Sequence, residues 1–381
     1  MIARALASAL LLLPALLTAQ TLPAWQMQDS GTNASLRGIE SVDGTIAWAS
    51  GTGGTVLKTT NGGHSWQHCA IPGTGPNTDN DGATLDFRGV QAWDAETAIV
   101  MASGPGDKSR LYNTSDGCKT WQLILKNPDK DGFWDAFQMD RRGRTGILLG
   151  DPVAHHFALW EIHRHGSTFL MQRSHHAPRA HKGESAFAAS NSSLFGEDDF
   201  SNFWIASGGS SGVRIRERKR YEDDGFGFDT FKARTVPVGH AAESSGIFSL
   251  GFLEHTSASR GSSQKWTILA VGGDYTKPSD STRTAAYSLD SGQHWTAASI
   301  PPHGYRSTVQ WDAQNKLWIT AGTNGSDVSR DDGRTWQKLD DGNWNALSLP
   351  FAVGANGRIA RLNPAALGQT HQISELPAKN G

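Results

Sequence analysis

Beyond residue 20, apolar residues come in short runs that glycine-rich turns separate. Typical runs are Thr45–Ser50, Ala98–Ser103 and Leu317–Gly322, which are rich in alanine, isoleucine and tryptophan. Runs of this length between turn residues are typical of β-strands, and the spacing of an amphipathic helix is almost absent. The pattern therefore predicts an all-β protein made of many short strands.

A strand of similar character begins each of seven successive units. The units repeat every 40–55 residues or so, roughly the spacing of a β-propeller with four-stranded blades. The sequence therefore predicts a single seven-bladed β-propeller over residues 20–381. The predicted inner strands are Leu36–Val42, Phe87–Trp93, Phe133–Met139, Glu184–Ser190, Gly246–Phe252, Tyr305–Trp311 and Asn343–Leu349.

The last unit lacks an outer strand, and the start of the chain offers one. Trp25-Gln26 resembles Trp66-Gln67 and Trp336-Gln337, where the outer strands of other units begin. We expect residues 24–30 to complete the seventh blade and to remove its open edge. The alternative is a frayed N-terminal tail.

One turn motif, Ser/Thr-x-Asp/Asn-x-Gly-x-Ser/Thr-Trp, occurs four times, beginning at Thr59, Thr114, Ser288 and Ser329. In the second copy Cys118 replaces the glycine, and in the third His294 replaces the hydroxyl residue. The Asp or Asn accepts backbone N–H groups, the Gly takes a positive φ, and the Trp packs beneath the turn. We therefore expect structural roles for Asn61, Gly63, Trp66, Asp116, Trp121, Asp290, Gly292, Trp295, Asp331, Gly333 and Trp336.

The charges nearly balance, with 35 basic and 37 acidic side chains and a formal net charge of -2. This balance argues against a general nucleic-acid binder, which needs a basic surface. Two cysteines cannot build a disulfide scaffold or a four-cysteine zinc site, and we predict neither a metal nor a cofactor. The sequence leaves open whether Cys69 and Cys118 pair.

The first 19 residues have the pattern of a secretory signal peptide. Arg4 precedes an apolar run, Ala5–Leu17, and the small residue Ala19 follows. The run is short for a membrane span of about 20 residues, although a membrane anchor is the alternative. We expect Met1–Ala19 to be removed and the mature chain to be periplasmic or secreted, without a membrane span.

The four turn motifs resemble those of the BNR/Asp-box propellers. The fuller pattern, from Trp25 to Leu362, resembles the photosystem II assembly and stability factor family and its non-photosynthetic bacterial relatives. The resemblance implies a propeller that acts as a binding chaperone and not as an enzyme. No dinucleotide-binding glycine fingerprint supports an oxidoreductase. The segments that carry the resemblance are Leu36–Gly38, Gly51–Thr55, Gly150–Val153, Gly183–Ser190, Gly272–Tyr275, Gly304–Ser307 and Gly325–Ser329.

Propeller topology gathers charged and aromatic side chains around one mouth of the central channel. The inner strands begin on that face, beside the loops that join second strands to third strands. Arginines in such a place suit the bidentate capture of a carboxylate. We predict a non-enzymatic binding or assembly scaffold that captures a protein or carboxylate-bearing partner at Arg37, Arg88, Asp135, Glu184, Asp274, Tyr275, Tyr305, Arg306 and Asp327.

The same residues allow two other interpretations. One is a sialidase-like glycoside hydrolase, with Tyr305 as nucleophile, Glu184 as base and Asp135 as acid. The segment Arg37-Gly-Ile departs from the Arg-Ile-Pro context of sialidases. The other interpretation is that opposite charges neutralise each other and hold the inner strands in register. The identity of the partner and the oligomeric state stay open.

Two further clusters are weaker candidates. Seven histidines lie between His155 and His181, where a solvated surface is favoured over a metal site. The stretch Arg214–Arg220 is basic, and alternation would place its arginines on one face of a strand. We favour a solvated strand there over a patch for an acidic partner.

Overall fold

The computed structural model describes residues 22–71, 84–223, 226–255 and 265–367. The predicted signal peptide, Met1–Ala19, lies outside the described residues. Within them, helical structure is confined to short segments such as the 3-10 helix Gly106–Lys108 and a turn of α-helix at residues 364–367. The all-β fold class is therefore confirmed.

The described strands form six antiparallel sheets, of which five have four strands and one has nine. One four-stranded sheet combines β1 (Trp25–Gln28) with the last three strands of the chain. In the other four-stranded sheets, strands that follow one another along the chain lie side by side. The first of these sheets contains β2 (Leu36–Ser41), β3 (Ala47–Gly51), β4 (Val56–Thr59) and β5 (Gln67–His68). The second contains β6 (Phe87–Ala92), β7 (Ala98–Ala102), β8 (Arg110–Thr114) and β9 (Gln122–Lys126).

The middle of the chain forms the third and fourth sheets. The third contains β10 (Trp134–Met139), β11 (Thr145–Val153), β12 (His156–His165) and β13 (Thr168–Arg173). The fourth has nine strands, with short β14 and β15 both paired to β16. Its strands are β14 (Glu184–Ser185), β15 (Leu194–Gly196), β16 (Asn202–Gly209), β17 (Arg214–Asp223), β18 (Phe226–Thr235), β19 (Ala242–His255), β20 (Lys265–Asp274), β21 (Ala285–Ser288) and β22 (Thr296–Ala297).

The last part of the chain forms the remaining two sheets. One contains β23 (Thr308–Asp312), β24 (Leu317–Gly322), β25 (Gly325–Ser329) and β26 (Gln337–Asp340). The other contains β27 (Ala346–Ser348), β28 (Phe351–Val353) and β29 (Ile359–Leu362), and β1 pairs with β29.

The predicted inner strand Glu184–Ser190 is wrong as a continuous strand. Only Glu184–Ser185 pairs with β16, and the chain leaves the sheet before Leu194–Gly196 pairs with the same strand. The two halves of the nine-stranded sheet meet through β16 and β19, at Gly208 opposite Gly246 and Gly209 opposite Ala242. Glycine at this junction has a physical reason, because a Cβ on Gly208 would lie 2.4 Å from the Cα of Gly246.

The N-terminal strand is held along its whole length. Trp25 pairs with Leu362, and Gln28 pairs with Ile359. The Trp25 indole packs on Trp344 with ring centroids 5.4 Å apart, and its Nε1 donates to the Ser326 hydroxyl at 3.0 Å. The alternative of a frayed N-terminal tail is therefore wrong for residues 25–28.

Seven clusters of buried apolar side chains lie between successive sheets and between the two halves of the nine-stranded sheet. One of them joins the first sheet to the last, through Leu36 and Leu57 on one side and Phe351 and Ile359 on the other. Fully burying a large apolar side chain contributes about 1.5–3 kcal/mol. Packing between the faces of neighbouring sheets therefore holds the described sheets together.

The four repeated turns share one set of hydrogen bonds. In the last copy, Asp331 Oδ1 accepts from the Thr335 N–H at 2.9 Å, and the Ser329 hydroxyl accepts from the Gly333 N–H at 2.9 Å. The glycine position has positive φ in every copy, and Cys118 takes it with φ 67°. Bonds from Thr120 lower the pKa of Asp116 to about 2 despite a small opposing effect of burial. Each of these turns joins the last two strands of its sheet.

Cys69 and Cys118, whose pairing the sequence leaves open, form a disulfide. Their Cα atoms are 5.5 Å apart, within the ordinary range of such bonds. Cys69 follows β5 of the first sheet, and Cys118 lies in the turn between β8 and β9 of the second. The bond therefore joins two neighbouring sheets covalently.

Candidate functional site

Five of the nine predicted binding residues line one cavity of about 560 Å³, which we call the mouth pocket. Side chains reach it from the inner strands of several sheets and from the loops beside them. The lining consists of Arg37, Arg88, Phe133, Asp135, Asp151, Ser185, Ala186, Phe187, Ala188, Ala189, Phe248, Tyr275, Tyr305, Ser307, Thr323 and Asn345.

A larger cavity, of about 680 Å³, lies beside the N-terminal strand. Gln28, Gly62 and Arg361 are among its lining residues, and none of the predicted binding residues belongs to it. The mouth pocket holds the convergent charged and aromatic groups that are typical of a ligand site, so it is the candidate site.

Two arginines at the mouth pocket share one carboxylate. Arg37 Nε lies 3.1 Å from Asp86 Oδ1, and Arg88 Nε donates to Asp86 Oδ2 at 2.8 Å. Arg88 also donates to the backbone carbonyl of Ala188 at 3.0 Å. Burial lowers the pKa of Arg37, and the charge of Asp86 opposes that effect. Because an arginine keeps its charge in proteins, the trio carries one unit of positive charge.

Asp86 was missed by sequence reasoning. It lies two residues before Arg88, at the start of an inner strand, so that alternation along a strand puts both side chains on one face. That spacing is the signal that could have found it.

Two carboxyl groups form the acidic end of the mouth pocket. Asp135 sits at an irregularity in the pairing of β10 with β11, between Trp134 opposite Gly150 and Ala136 opposite Leu149. Asp151 follows Gly150 directly, and its Oδ1 accepts from the Ala186 N–H at 3.1 Å. The local pairing therefore brings the two aspartates together.

Burial raises the pKa of both carboxyl groups. Asp135 is 2% exposed, and desolvation followed by the charge of Asp151 raises its pKa well above the usual value, while Arg88 opposes this. Burial also raises the pKa of Asp151 to about 6. Asp151 is not among the predicted binding residues, although its segment, Gly150–Val153, is one of those that carry the family resemblance.

Aromatic side chains form part of the pocket lining, which we call the aromatic wall. Phe187 and Phe248 stack with centroids 4.2 Å apart, and Tyr305 meets Phe248 edge to face at 4.8 Å. Tyr275 is the open edge of the wall, at 52% exposure. Burial raises the pKa of the Tyr305 phenol far above its usual value, which opposes its ionisation to a nucleophile.

Glu184 does not line the mouth pocket. Its Oε1 accepts from Arg216 at 2.5 Å and from the Ser207 hydroxyl at 2.6 Å, and its Oε2 accepts from Arg216 at 2.8 Å. The carboxylate is fully occupied by these groups, and no described hydrogen bond joins it to Tyr305. The nucleophile–base pair of the hydrolase hypothesis is not formed.

Arg306 and Asp327 pair with each other below the surface. Arg306 is fully buried, its Nε donates to Asp327 Oδ2 at 2.7 Å, and it also donates to Asn324 and to the Tyr305 carbonyl. Asp274 is likewise occupied, because it accepts from the Thr276 hydroxyl at 2.7 Å. Of the three predicted binding arginines, only Arg37 and Arg88 therefore line the pocket, and Arg306 does not.

The two weaker candidates from the sequence are the histidines between His155 and His181 and the basic stretch Arg214–Arg220. In the described part of the chain, no group of three histidine, cysteine or acidic side chains is placed to hold a metal ion. The strand β17 is not solvated as expected, because Arg216 and Arg218 are buried at 2% and 6% exposure. Arg216 pairs with Glu184, and Arg218 lies 3.8 Å from Glu161.

The many four-stranded antiparallel sheets define a β-propeller type of fold. Two solved structures have it: YCF48 from Cyanidioschyzon merolae, with 17% identity and a TM-score of 0.59, and YCF48 bound to a D1 peptide, with 15% identity and a TM-score of 0.55. Each match covers 90% of this chain, and 99% and 97% of the two YCF48 chains. At these identities, the likeness to the photosystem II assembly factor YCF48 is one of fold.

No protein-family model matches the sequence, and no curated protein matches it significantly. Among the described residues, no helix has the length and apolar character that a membrane span requires.

Proposed function

We propose that the chain is a seven-bladed β-propeller that the N-terminal strand closes and whose four repeated turns are Asp-boxes. Five blades correspond to the five four-stranded sheets. The nine-stranded sheet divides into two more at the short contact between β16 and β19. The seven apolar clusters, one of which joins the first sheet to the last, support this arrangement.

We further propose that the protein is a non-enzymatic scaffold that captures a polypeptide partner at the mouth pocket. The observation that carries this is the combination of two arginines, Arg37 and Arg88, with the aromatic wall in one cavity. Arginine and aromatic residues supply most of the binding energy at protein interfaces. A structure of the same fold holds a peptide, since one YCF48 structure is bound to a D1 peptide.

The arginine end of the pocket suits a carboxylate of the partner. The Nε of each guanidinium group lies within ion-pair distance of Asp86. The terminal nitrogens of Arg37 have no described hydrogen-bond partner and are available for a bidentate acceptor. Arg88 has one terminal nitrogen on the Ala188 carbonyl, which fixes its orientation.

The hydrolase interpretation receives less support from the same contacts. A glycosidase needs a nucleophile and a base or acid within reach of the reacting atoms. Glu184 is bound to Arg216, and the raised pKa of Tyr305 disfavours the phenolate.

We also propose export of the chain from the cytoplasm. The proposal rests on the signal-peptide pattern of Met1–Ala19. The disulfide between Cys69 and Cys118 agrees with it, because such bonds persist in oxidising compartments.

Selection from a display library of random short peptides tests the scaffold proposal. We expect the enriched peptides to bind the wild-type chain and to lose at least about tenfold in affinity to an Arg37→Gln, Arg88→Gln variant. Arg141→Gln is the matched control, since Arg141 is an exposed arginine in a surface ion pair with Asp198. The proposal would be contradicted if the enriched peptides bound the Arg37→Gln, Arg88→Gln variant as tightly as the wild type. It would also be contradicted if no peptide were enriched.

A further inference from the structure

The acidic end of the mouth pocket lacks a basic partner among the described residues. Asp135 is 2% exposed, and its Oδ2 has no hydrogen-bond partner among the described residues. Neither Asp135 nor Asp151 forms an ion pair with a described basic side chain, although both line the cavity. A buried carboxylate without a partner is costly, so such groups are normally paired or protonated.

The ionisable groups at the pocket do not balance in charge. Arg37 and Arg88 supply two positive charges, whereas Asp86, Asp135 and Asp151 supply three negative charges when ionised. Arg88 acts on Asp135 only through its charge, because Asp86 and the Ala188 carbonyl hold two of its three nitrogens and no described hydrogen bond joins it to either carboxyl group of the acidic end. The Tyr305 phenol, which also lines the cavity, stays neutral because burial raises its pKa far above the usual value. One positive charge is therefore missing.

The surroundings of the acidic end suit a cation on an apolar stem. The wall of Phe187, Phe248 and Tyr275 offers ring faces beside which the methylene groups of a long side chain can pack. Aromatic faces also attract ammonium and guanidinium groups directly. In contrast, two carboxylates without a third ligand are a poor cage for a metal ion.

We infer that the Asp135–Asp151 end of the mouth pocket binds a basic side chain, lysine or arginine, of the partner polypeptide. The inference rests on the proposed function, and it adds the chemistry by which the partner is recognised. A cation there completes the charge balance of the pocket and satisfies the unpartnered oxygen of Asp135. In the empty pocket, a proton held by the carboxyl pair takes the place of that cation.

The probes are capped pentapeptides that differ only at their central residue. This residue is lysine, norleucine or glutamate. Their affinities for the intact chain are measured by titration calorimetry near neutral pH. We expect the lysine peptide to bind at least about tenfold more tightly than the norleucine peptide. The Asp135→Asn, Asp151→Asn double variant should lose this preference, and the surface control Asp198→Asn should keep it.

The pH dependence supplies a second readout. The ionised carboxyl pair binds the cation, so the preference for lysine over norleucine should be strong at about pH 8 and weak at about pH 5. The midpoint of thermal unfolding is measured for the double variant and for the wild type. A midpoint at or above that of the wild type shows that the substitutions leave the fold intact.

The outcomes separate this inference from the proposed function. The inference would be overturned if the wild type bound the lysine and norleucine peptides equally. It would also be overturned if the double variant kept the preference for lysine. If library peptides still bind through Arg37 and Arg88 in that case, the scaffold proposal stands alone. If the lysine preference is present but no library peptide is captured, the acidic end is a cation site and the scaffold proposal fails.

Discussion

At the scale of single residues, Asp86 sets the geometry of the arginine end. It lies between two guanidinium groups that are 31% and 27% exposed in their side chains. Ion pairs at this degree of exposure contribute little, about 0–1 kcal/mol each. In the proposed site, Asp86 would therefore act by holding the two guanidinium groups next to each other, and not by stabilising the fold.

Replacing the carboxyl group of Asp151 by a neutral amide should stabilise the fold. Its folded pKa of about 6 lies above the ordinary value, so the folded state loses stability as the pH rises from the unfolded pKa through about 6. Asp151→Asn avoids this loss and keeps an oxygen to accept from the Ala186 N–H. We expect urea denaturation at neutral pH to show a free energy of unfolding that is higher by up to about 3 kcal/mol.

The gain should shrink as the pH falls to about 4 and disappear below about pH 3, where the wild-type carboxyl is protonated in both the folded and the unfolded state. The comparison must be made between variant and wild type at each pH, since burial also raises the pKa of Glu40, to about 8. A difference that stays constant across this range would contradict the assignment.

Glu184 should prove essential to stability and irrelevant to peptide binding. Glu184→Gln leaves the guanidinium of Arg216, which is 2% exposed, without its counter-ion. Breaking one side of a buried ion pair costs about 3–5 kcal/mol, which chemical denaturation would detect. Replacing both residues, as in Glu184→Gln with Arg216→Met, should recover much of the loss. A Glu184→Gln variant of normal stability that no longer binds library peptides would place the residue in the site instead.

At the scale of the element, the repeated turn can be tested with a control that the chain itself supplies. Asp331→Ala removes the acceptor for the Thr335 N–H and for the Ser329 hydroxyl, at an expected cost of about 1–2 kcal/mol. Asp331→Asn should retain most of the stability, because Asn61 accepts the same bond from Ser65 in the first copy. Equal losses in the two variants, measured by thermal unfolding, would contradict the role given to the side-chain oxygen.

Most strands could be predicted because their signals are local. Alternation and turn residues located the first residues of the inner strands that begin with Leu36 and Phe87, and each of these strands ends one residue earlier than predicted. The fourth inner strand could not be found in this way, because Glu184–Ser190 has strand-like composition but leaves the sheet after Ser185. What decides it is the pairing of β14 and β15 with β16, which is a contact between distant segments.

At the scale of the whole molecule, the repeat pattern indicated which side chains share a face but not which of them are free. Arg37, Arg88 and Tyr305 do meet in one pocket. Arg306 belongs to the same set by position, yet it turns inward to Asp327, and Glu184 turns to Arg216. Such pairings depend on side-chain direction and on partners far away in the sequence, which no local pattern encodes.

The N-terminal strand should contribute strongly to the stability of the whole fold. Trp25→Ala removes an indole that is packed on Trp344 and bonded to Ser326, at an expected cost of about 3–5 kcal/mol. Gln26→Ala is the control on the same strand, since the Gln26 side chain is exposed. Urea denaturation that gives the same midpoint for both variants would mean that the strand adds little to the fold.

The antiparallel pairing of β1 with β29 also has a mechanical consequence. Trp25 lies opposite Leu362, so the two segments that lead away from this pair leave from the same end of the ladder. A pulling force between the two chain ends would load the hydrogen bonds one after another, as a zipper opens, and not all at once as in shear. Under tension, the hydrogen bonds between β1 and β29 are therefore expected to break first, before the sheets in the middle of the chain unfold.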